Sequence, residues 1–538
     1  MKFICNFSRL KLVIRKICSL FILLILNRFS AYISKFRVIK ILKKKFIFIL
    51  SAFCGILTLN SINFMGCDSG TTTQLGEPVS FNRDIQPILA ENCSFPGCHN
   101  STDRQAGLDL TSWESTMLTG STFGAEIIPY NARWSHMTMH INRFDTNISP
   151  FSEPLMPQAL MPYTNGMPLA SNQLMKIVDW INQGAKNDNG QVAFENITNK
   201  AFITNQASDF VAVVNLDNNH LVRLINVGGR DNATQPLDAP HVITVDNQGR
   251  YFYVSLIAEG YIEKYDAMTY ERVGRMFAGN SPAHIILSND GTRGWYTNFD
   301  ATLAQKEMKE FDTQSMTVTR VIDEFRMTKP HGLRLTHNEE YVLMATEGSE
   351  FLYLIQASTG QIIDTYPVDP SVPPNGTGTN NFIPYQVSIT PDDKYAYITC
   401  LKSNDVRVFD IVNRAFILTI PVGLNPLAHE ISPDGRWCYV PNRNSNSVSV
   451  IDLTTNTVVK TIANVGAQPH KIDFTADGRY AYVTCESVSG GFVHHPPSAG
   501  KTPGTTAVID VLSGHNKIKD IEMASFPAGI CITPGLGN

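Results

Sequence analysis

Charge and cysteine are both scarce in this chain. Asp, Glu, Lys and Arg make up 17% of the 538 residues, against roughly 25% in an ordinary soluble domain. There are ten cysteines, and so few thiols in so long a chain exclude a disulfide-built scaffold. Acid is missing altogether from the first 66 residues, which hold 12 of the 44 basic side chains. From Cys67 onward 32 basic residues stand against 48 acidic ones. Such a polyanion has no basic surface for phosphates, so sequence-independent nucleic-acid binding is excluded. No glycine-rich phosphate loop and no nucleophile–base constellation stands out, which leaves nucleotide and hydrolase chemistry unsupported. Core material is plentiful, at 43% hydrophobic and 10% aromatic residues, enough for two or three folded units.

The acid-free stretch 1–66 reads as a targeting segment. Lys43, Lys44 and Lys45 precede the apolar run 46–57, and the small Gly66 stands just before Cys67, the basic, apolar and small-residue order of an export signal. Phe64-Met65-Gly66-Cys67, followed by a Ser/Gly/Thr-rich stretch at 68–73, resembles a bacterial lipobox. The resemblance implies cleavage before Cys67 and a lipid on its sulfur. The protein would then be exported, periplasmic or at the cell surface, and held to a membrane through that anchor. Each buried methylene of such an anchor contributes about 0.8 kcal/mol. An uncleaved transmembrane helix over 46–66 is the other reading, and Asn60 and Asn63 argue against it. Residues 1–42 are surplus to either signal, and 67–79 read as a linker.

Residues 80–190 carry the sharpest chemical motif. In Phe81-Asn-Arg-Asp-Ile-Gln-Pro-Ile-Leu-Ala-Glu-Asn-Cys93-Ser-Phe-Pro-Gly-Cys98-His99, Ile85, Ile88 and Leu89 recur at helical spacing and predict a short amphipathic helix that delivers Cys93 to a turn. Covalent haem attachment needs two thiols for the vinyl groups and an imidazole directly after them for the iron. The usual spacing is Cys-x-x-Cys-His; here it is Cys-x4-Cys-His, with Pro96-Gly97 as turn residues that absorb the extra length. A disulfide with an incidental His99, or a zinc site, are the other uses of such a pair, but zinc would need a fourth ligand and neither accounts for what lies downstream. There, Met161-Pro162 precedes the run Ser171 to Trp180-Ile-Asn-Gln-Gly184-Ala185, in which Leu174, Ile177, Val178 and Ile181 form the stripe of a helix with Ser171 as the expected N-cap.

With these two ends, 80–190 resembles the bacterial class I cytochrome c domains, whose distal Met lies in a Met-Pro loop before a final helix ending in Trp-Ile-x-x-Gly-Ala. The resemblance implies one covalent haem c attached to Cys93 and Cys98, with His99 and Met161 on its iron. Met156 and Met167 are also followed by Pro. It implies electron exchange with a redox partner protein or a small-molecule donor or acceptor. His136 and His140, at i and i+4, are expected on the surface or in packing. Nothing in the sequence requires a second metal.

From about residue 200 the chain repeats itself. Seven units begin at Pro240, Pro282, Pro330, Pro384, Pro426, Pro469 and Pro527. Nine residues after the first six prolines come Gly249, Gly291, Glu339, Asp393, Gly435 and Gly478, each predicted to be a turn. Thirteen residues after them come Tyr253, Trp295, Leu343, Tyr397, Tyr439 and Tyr482, each on a strand. Units of about 42 residues with four short strands predict propeller blades. Tyr397-Ile-Thr-Cys400, Tyr439-Val-Pro-Asn442 and Tyr482-Val-Thr-Cys485 resemble the YVTN type of bacterial β-propeller. The seventh proline has only one strand after it, so three strands from about 201–227 are expected to complete its blade and close the ring. Cys400, Cys438, Cys485 and Cys531 are expected as small buried residues of these strands.

The chain is thus expected to be multidomain: a small all-α cytochrome c domain at 80–190, then an all-β seven-bladed propeller at 200–538. Histidines gather on one face of that propeller. His241, His331 and His470 directly follow a unit proline, and His429 lies three after its own; strict strand alternation puts these four near the channel mouth and His284 on the opposite side. His494 and His495 sit in an insertion outside the repeat. The plain reading of Pro-His is a repeated packing element. The bolder one is a converging metal or cofactor site, similar to those of the nitrous oxide and cytochrome cd1 nitrite reductases, which are likewise built from propellers with haem or copper chemistry. Function follows in the same order: an exported electron-transfer lipoprotein with the propeller as a binding platform, a catalytic propeller, or a surface-binding protein.

Overall fold

The computed structural model describes residues 78–122, 124–142, 169–229, 237–299, 306–373, 376, 378–488, 495 and 498–534. The targeting segment with Cys67, the Met-Pro loop with Met156, Met161 and Met167, and His494 lie outside them.

Seven four-stranded antiparallel sheets form a propeller. The innermost strands of blades 1 to 6 are Pro240–Val245, Pro282–Leu287, Pro330–Leu335, Pro384–Ile389, Glu430–Ile431 and Ala467–Phe474. Blade 7 is made from both ends of the repeat region. Its innermost strand, Pro527–Ile532, pairs with Lys200–Asn205, beyond which lie Phe210–Asn215 and His220–Asn226. Closure this way leaves no open sheet edge between the first blade and the last.

The repeat residues explain how blades hold one another. The second-strand aromatics Tyr253, Tyr397, Tyr439 and Tyr482 are buried, and burying a large aromatic contributes roughly 1.5–3 kcal/mol. Their hydroxyls are not wasted: Tyr397 donates to Asn456 Oδ1 at 2.5 Å and Tyr482 to Asn219 Oδ1 at 2.7 Å, each on an outer turn of the next blade. Two residues on, a hydroxyl side chain staples the innermost strand of the following blade. Thr204 donates to the His241 carbonyl, Ser255 to Ala283, Thr297 to His331, Thr399 to Leu427 and Thr484 to Ala528, at 2.7–2.9 Å. Blades 3 and 5 carry Ala345 and Pro441 at that position and have no such staple.

All six predicted turn positions have a left-handed backbone, including the two that are not glycine, Glu339 (φ 58°) and Asp393 (φ 56°). A side chain in that region costs about 1 kcal/mol. Asp393 offsets the cost by accepting from the backbone N–H of His337 at 2.7 Å and of Asn338 at 2.9 Å, on the neighbouring blade.

Before the propeller, a π-helical turn Phe81–Ile85 runs into α1 (Gln86–Asn92), followed by α2 (His136–Ile141) and α3 (Ser171–Asn182). The stripe Leu174, Ile177, Val178 and Ile181 is buried, and Trp180 packs on Phe81 with ring centroids 5.3 Å apart. Ser171 is the first helical residue and does not cap the helix. Ala170 takes the cap position and its N–H donates to Gln173 Oε1 at 3.2 Å, because the chain enters α3 one residue earlier than the side-chain preference of serine indicated. Gly184 follows α3 at φ 102°, where a Cβ would come within 2.7 Å of the Tyr130 ring, which is why glycine stands there.

The helical segment is packed on the propeller. Ile128, Trp134 and Met139 share one apolar cluster with Ala201, Phe210, Tyr482 and Ile530. The connection 187–199 is folded into this junction: Ala193 is buried, its carbonyl accepts from Arg223 at 3.1 Å, and Phe194 touches the cores on both sides. Among the described residues no helix is long and apolar enough to cross a membrane.

Candidate functional site

Two groups of reactive side chains stand out, one in the helical segment and one on the propeller axis. The first is built by the turn after α1. Cys93 ends that helix with its N–H on the Leu89 carbonyl at 2.8 Å, and the chain folds back so that the His99 N–H donates to the Cys93 carbonyl at 3.1 Å. The turn passes through Gly97 at φ 86°, where nothing lies within 4 Å of a Cβ position. Both cysteines are free thiols, Cys93 buried within the apolar cluster of the helical segment and Cys98 partly exposed. Burial, with Cys98 beside it, pushes the Cys93 thiol up to about 12.

His99 is held by its Nδ1, 3.1 Å from the Gln105 carbonyl oxygen. A carbonyl can only accept, so the proton is on Nδ1 and Nε2 keeps its lone pair. Burial lowers the basicity of the ring, against the backbone hydrogen bonds that support the charged form. Cys93, Cys98 and His99 thus lie on one short turn after α1; the sulfur of Met161 lies outside the described residues.

The second group lies where the innermost strands enter the ring. Each of them carries a bulge just after its proline. In blade 3, Pro330 pairs with Thr346 and Leu333 with Met344, three residues against two, and the same offset recurs in blades 1, 2, 4, 6 and 7. Blade 5 has it between Pro426 and Glu430. Every residue preceding these prolines is left-handed, from Ala239 (φ 57°) to Phe526 (φ 59°). A bulge breaks the alternation of side chains, and this corrects the expected placement of His284. It does not point away from the others; its ring lies 4.6 Å from His331 and 6.5 Å from His241.

Four imidazoles therefore cluster: His241, His284, His331 and His470, with His241 at 6.2 Å from His331 and 5.7 Å from His470. His331 also packs on Tyr385, with ring centroids 3.9 Å apart and the planes tilted by 31°. Burial holds His241 and His284 well below the usual imidazole range and takes His331 down to about 3. Glu486 faces His470 Nδ1 at 3.0 Å and Arg443 through two bonds of 2.6 Å. Burial alone would raise the Glu486 carboxyl, but these partners outweigh it and bring it down to about 2.

Two histidines of the expected face do not join. His429, at the third position after its proline, lies within the bulged stretch of blade 5 and is buried beside Arg334. His495 packs between Trp134 and His136 of the helical segment, at 5.6 and 4.9 Å, with its N–H on Glu522. No ring contact ties either to the four channel imidazoles among the described residues. Beneath the cluster a channel cavity of about 400 Å³ is lined by the innermost strands, with His284, the Arg334–Glu430 ion pair, Lys471 and Asp473 on its wall.

Sequence reasoning found the Pro-His positions but not Glu486, Arg443 or Tyr385. The first two are the partners a buried imidazole needs, and nothing local in the sequence marks them.

The family described as YNCE-like beta-propeller matches residues 375–493. No curated protein matches the chain. Among solved structures, a chain of Kuenenia stuttgartiensis hydrazine synthase is similar, at 17% identity over 53% of this chain and 88% of that one, with a TM-score of 0.45.

Proposed function

We propose that this protein is an exported electron-transfer lipoprotein in which a mono-haem cytochrome c domain is fused to the propeller, the propeller serving as the platform that binds a partner or substrate. The observation that carries the proposal is the Cys93–His99 turn: two free thiols, one set in apolar packing, beside an imidazole whose Nδ1 is already engaged by the Gln105 carbonyl. That donor set fits covalent haem c, since the group asks for two vinyl-reactive sulfurs, an Nε2 lone pair and an apolar wall. Bound there, the haem supplies one-electron redox chemistry.

The chain's own residues do the rest. Cys93 and Cys98 would be the attachment points, and His99, oriented by Gln105, would offer Nε2 to the iron. Met161 would be the second iron ligand, a thioether that would favour a high potential. The apolar cluster of Ile88, Leu89, Leu108 and Leu110 around Cys93 excludes water from that side. Cys67 is the proposed lipidation site, anchoring the protein to a bacterial membrane from its periplasmic or outer side.

The test is expression of the full chain in cells competent for cytochrome c maturation. Pigment should stay with the denatured polypeptide and give the pyridine haemochrome of one haem c per chain. It should be lost in the Cys93→Ala/Cys98→Ala double variant. A polypeptide that folds but retains no covalent haem removes the redox assignment.

A further inference from the structure

The channel cavity beneath the imidazoles has one charged wall and one uncharged wall. In six blades the fourth residue after the unit proline is half-buried and lines the cavity. Blades 3, 5 and 6 place Arg334, Glu430 and Asp473 there, whereas blades 7, 1 and 2 place Cys531, Thr244 and Ile286. Lys471, two residues before Asp473, lines it as well. Most of the charges on the wall are already matched. Arg334 and Glu430 form an ion pair between blades 3 and 5. The Asp473 carboxyl accepts from the N–H of Ile532 at 2.7 Å and of Phe474 at 2.9 Å. His337 pairs with Asp393, and burial holds His284 well below the usual imidazole range, so it brings no charge. Lys471 differs from all of these. Its backbone N–H donates to Thr484 Oγ1 at 3.1 Å, but its ammonium has neither a hydrogen bond nor an ion pair among the described residues.

An unmatched cation on the wall of a partly apolar channel attracts an anion more strongly than it would in open water. The cavity, about 400 Å³, is of the size that holds a small molecule. We propose that the channel binds a small organic monoanion, with its carboxylate on the Lys471 ammonium and a compact apolar body against Ile286 and the uncharged wall. Glu430 already occupies Arg334, which leaves Lys471 as the anchoring cation. A second negative charge on the ligand would meet Glu430 and Asp473 on the same wall. The inference names a ligand for the platform role of the propeller and rests on that reading, but not on the haem. Asp473 tunes the site. Burial and the neighbouring Glu430 push its carboxyl up to about 6, against its backbone hydrogen bonds and Lys471. Around it stand also Arg334, a cation at every working pH, and Cys531, whose thiol burial pushes up to about 12. Above about pH 6 the ionised Asp473 competes with the ligand for the Lys471 charge; below it, the protonated carboxyl leaves that charge to the ligand.

The experiment is calorimetric titration of the full-length protein with three probes of one shape, benzoate, benzamide and benzylamine, at about pH 7.5 and about pH 5.5, with thermal melts in parallel. Benzoate should bind once per chain and raise Tm, and benzamide should bind about 10-fold more weakly, the factor a charge-assisted hydrogen bond contributes. Benzoate affinity should rise about 5-fold from the higher pH to the lower, the effect of removing one neighbouring charge, and Asp473→Asn should flatten that rise. Lys471→Met should weaken benzoate by about 10-fold and leave benzamide unchanged. Ile286→Trp, which fills the uncharged wall, should block both. Lys460→Met, on the outermost strand Thr457–Ala463 of blade 5, should change neither. Should Lys471→Met fail to fold, the three probes on the unmodified protein still decide. Benzylamine binding as tightly as benzoate, chloride raising Tm as much as benzoate does, or no benzoate bound at millimolar concentration overturns the proposal. Covalent haem without benzoate binding removes this ligand and leaves the electron-transfer reading; benzoate binding without covalent haem does the reverse.

Discussion

The Thr484 hydroxyl donates a 2.7 Å hydrogen bond to the carbonyl of Ala528, across the seam where the last strand of the chain enters the ring. The two residues lie in blades 6 and 7, and the bond is fully buried, so its loss leaves an acceptor without its partner. Thr484→Val keeps shape and removes the donor. It should cost about 1–3 kcal/mol, seen as a lower midpoint in denaturant melts of the propeller. Removing residues 527–538 takes away the strand as well, and should abolish cooperative unfolding. An unchanged melt after that truncation would mean the ring is not held shut by this seam.

Asp393 illustrates a local cost met by a distant gain. Glycine at that position would relieve the left-handed backbone by about 1 kcal/mol. It would also remove the acceptor of the His337 and Asn338 amides, charge-assisted bonds of about 1.5–3 kcal/mol each. Asp393→Gly is therefore expected to destabilise, although it restores the residue found in four of the other turns. A rise in midpoint would show that the backbone term dominates.

Trp134 stands between the helical segment and blade 7, its ring 5.2 Å from Phe210 in an edge-on contact and 5.6 Å from His495. Trp134→Ala should cost about 3–5 kcal/mol and uncouple the two parts. Calorimetry should then show two transitions, with new proteolytic cleavage in 187–199. A single transition at the original temperature would contradict the coupling.

Acid should loosen the propeller mouth in a defined window. The folded-state carboxyl of Glu486 is lowered from its ordinary value of 4.5 to about 2. A carboxyl depressed on folding adds stability that is complete above its unfolded value and is lost as pH falls toward the folded one. Between pH 4.5 and 2 the protein should lose this contribution, and Glu486→Gln should flatten the pH dependence of its melting temperature there. Identical pH profiles for the two proteins would show that the His470–Glu486–Arg443 contact contributes nothing.

Much of the propeller was legible because its signals are local. A strand places alternate residues on opposite faces, so Tyr397 and Tyr482 at a constant distance from their prolines mark the same strand in successive blades. The lone strand after Pro527 and the three before Pro240 complete each other by count alone. The Leu174–Ile181 stripe was equally plain. Less was legible where one extra residue decides an orientation. Alternation assigned His284 to the wrong side because the bulge after each proline is a pairing irregularity with no residue type of its own. The left-handed residues before the prolines, among them Ile383 at φ 56°, carry no glycine to announce them.

What the sequence by itself determined is the blade: proline, turn, buried aromatic and hydroxyl, repeated with the period of a four-stranded sheet. Which imidazoles meet was decided only by the tertiary structure. His241, His331 and His470 come from three different blades and meet because the ring brings those blades around one axis, while His495 is drawn to Trp134 by the docking of the helical segment. Pairwise distances across a closed ring depend on every blade between, and no local pattern encodes them.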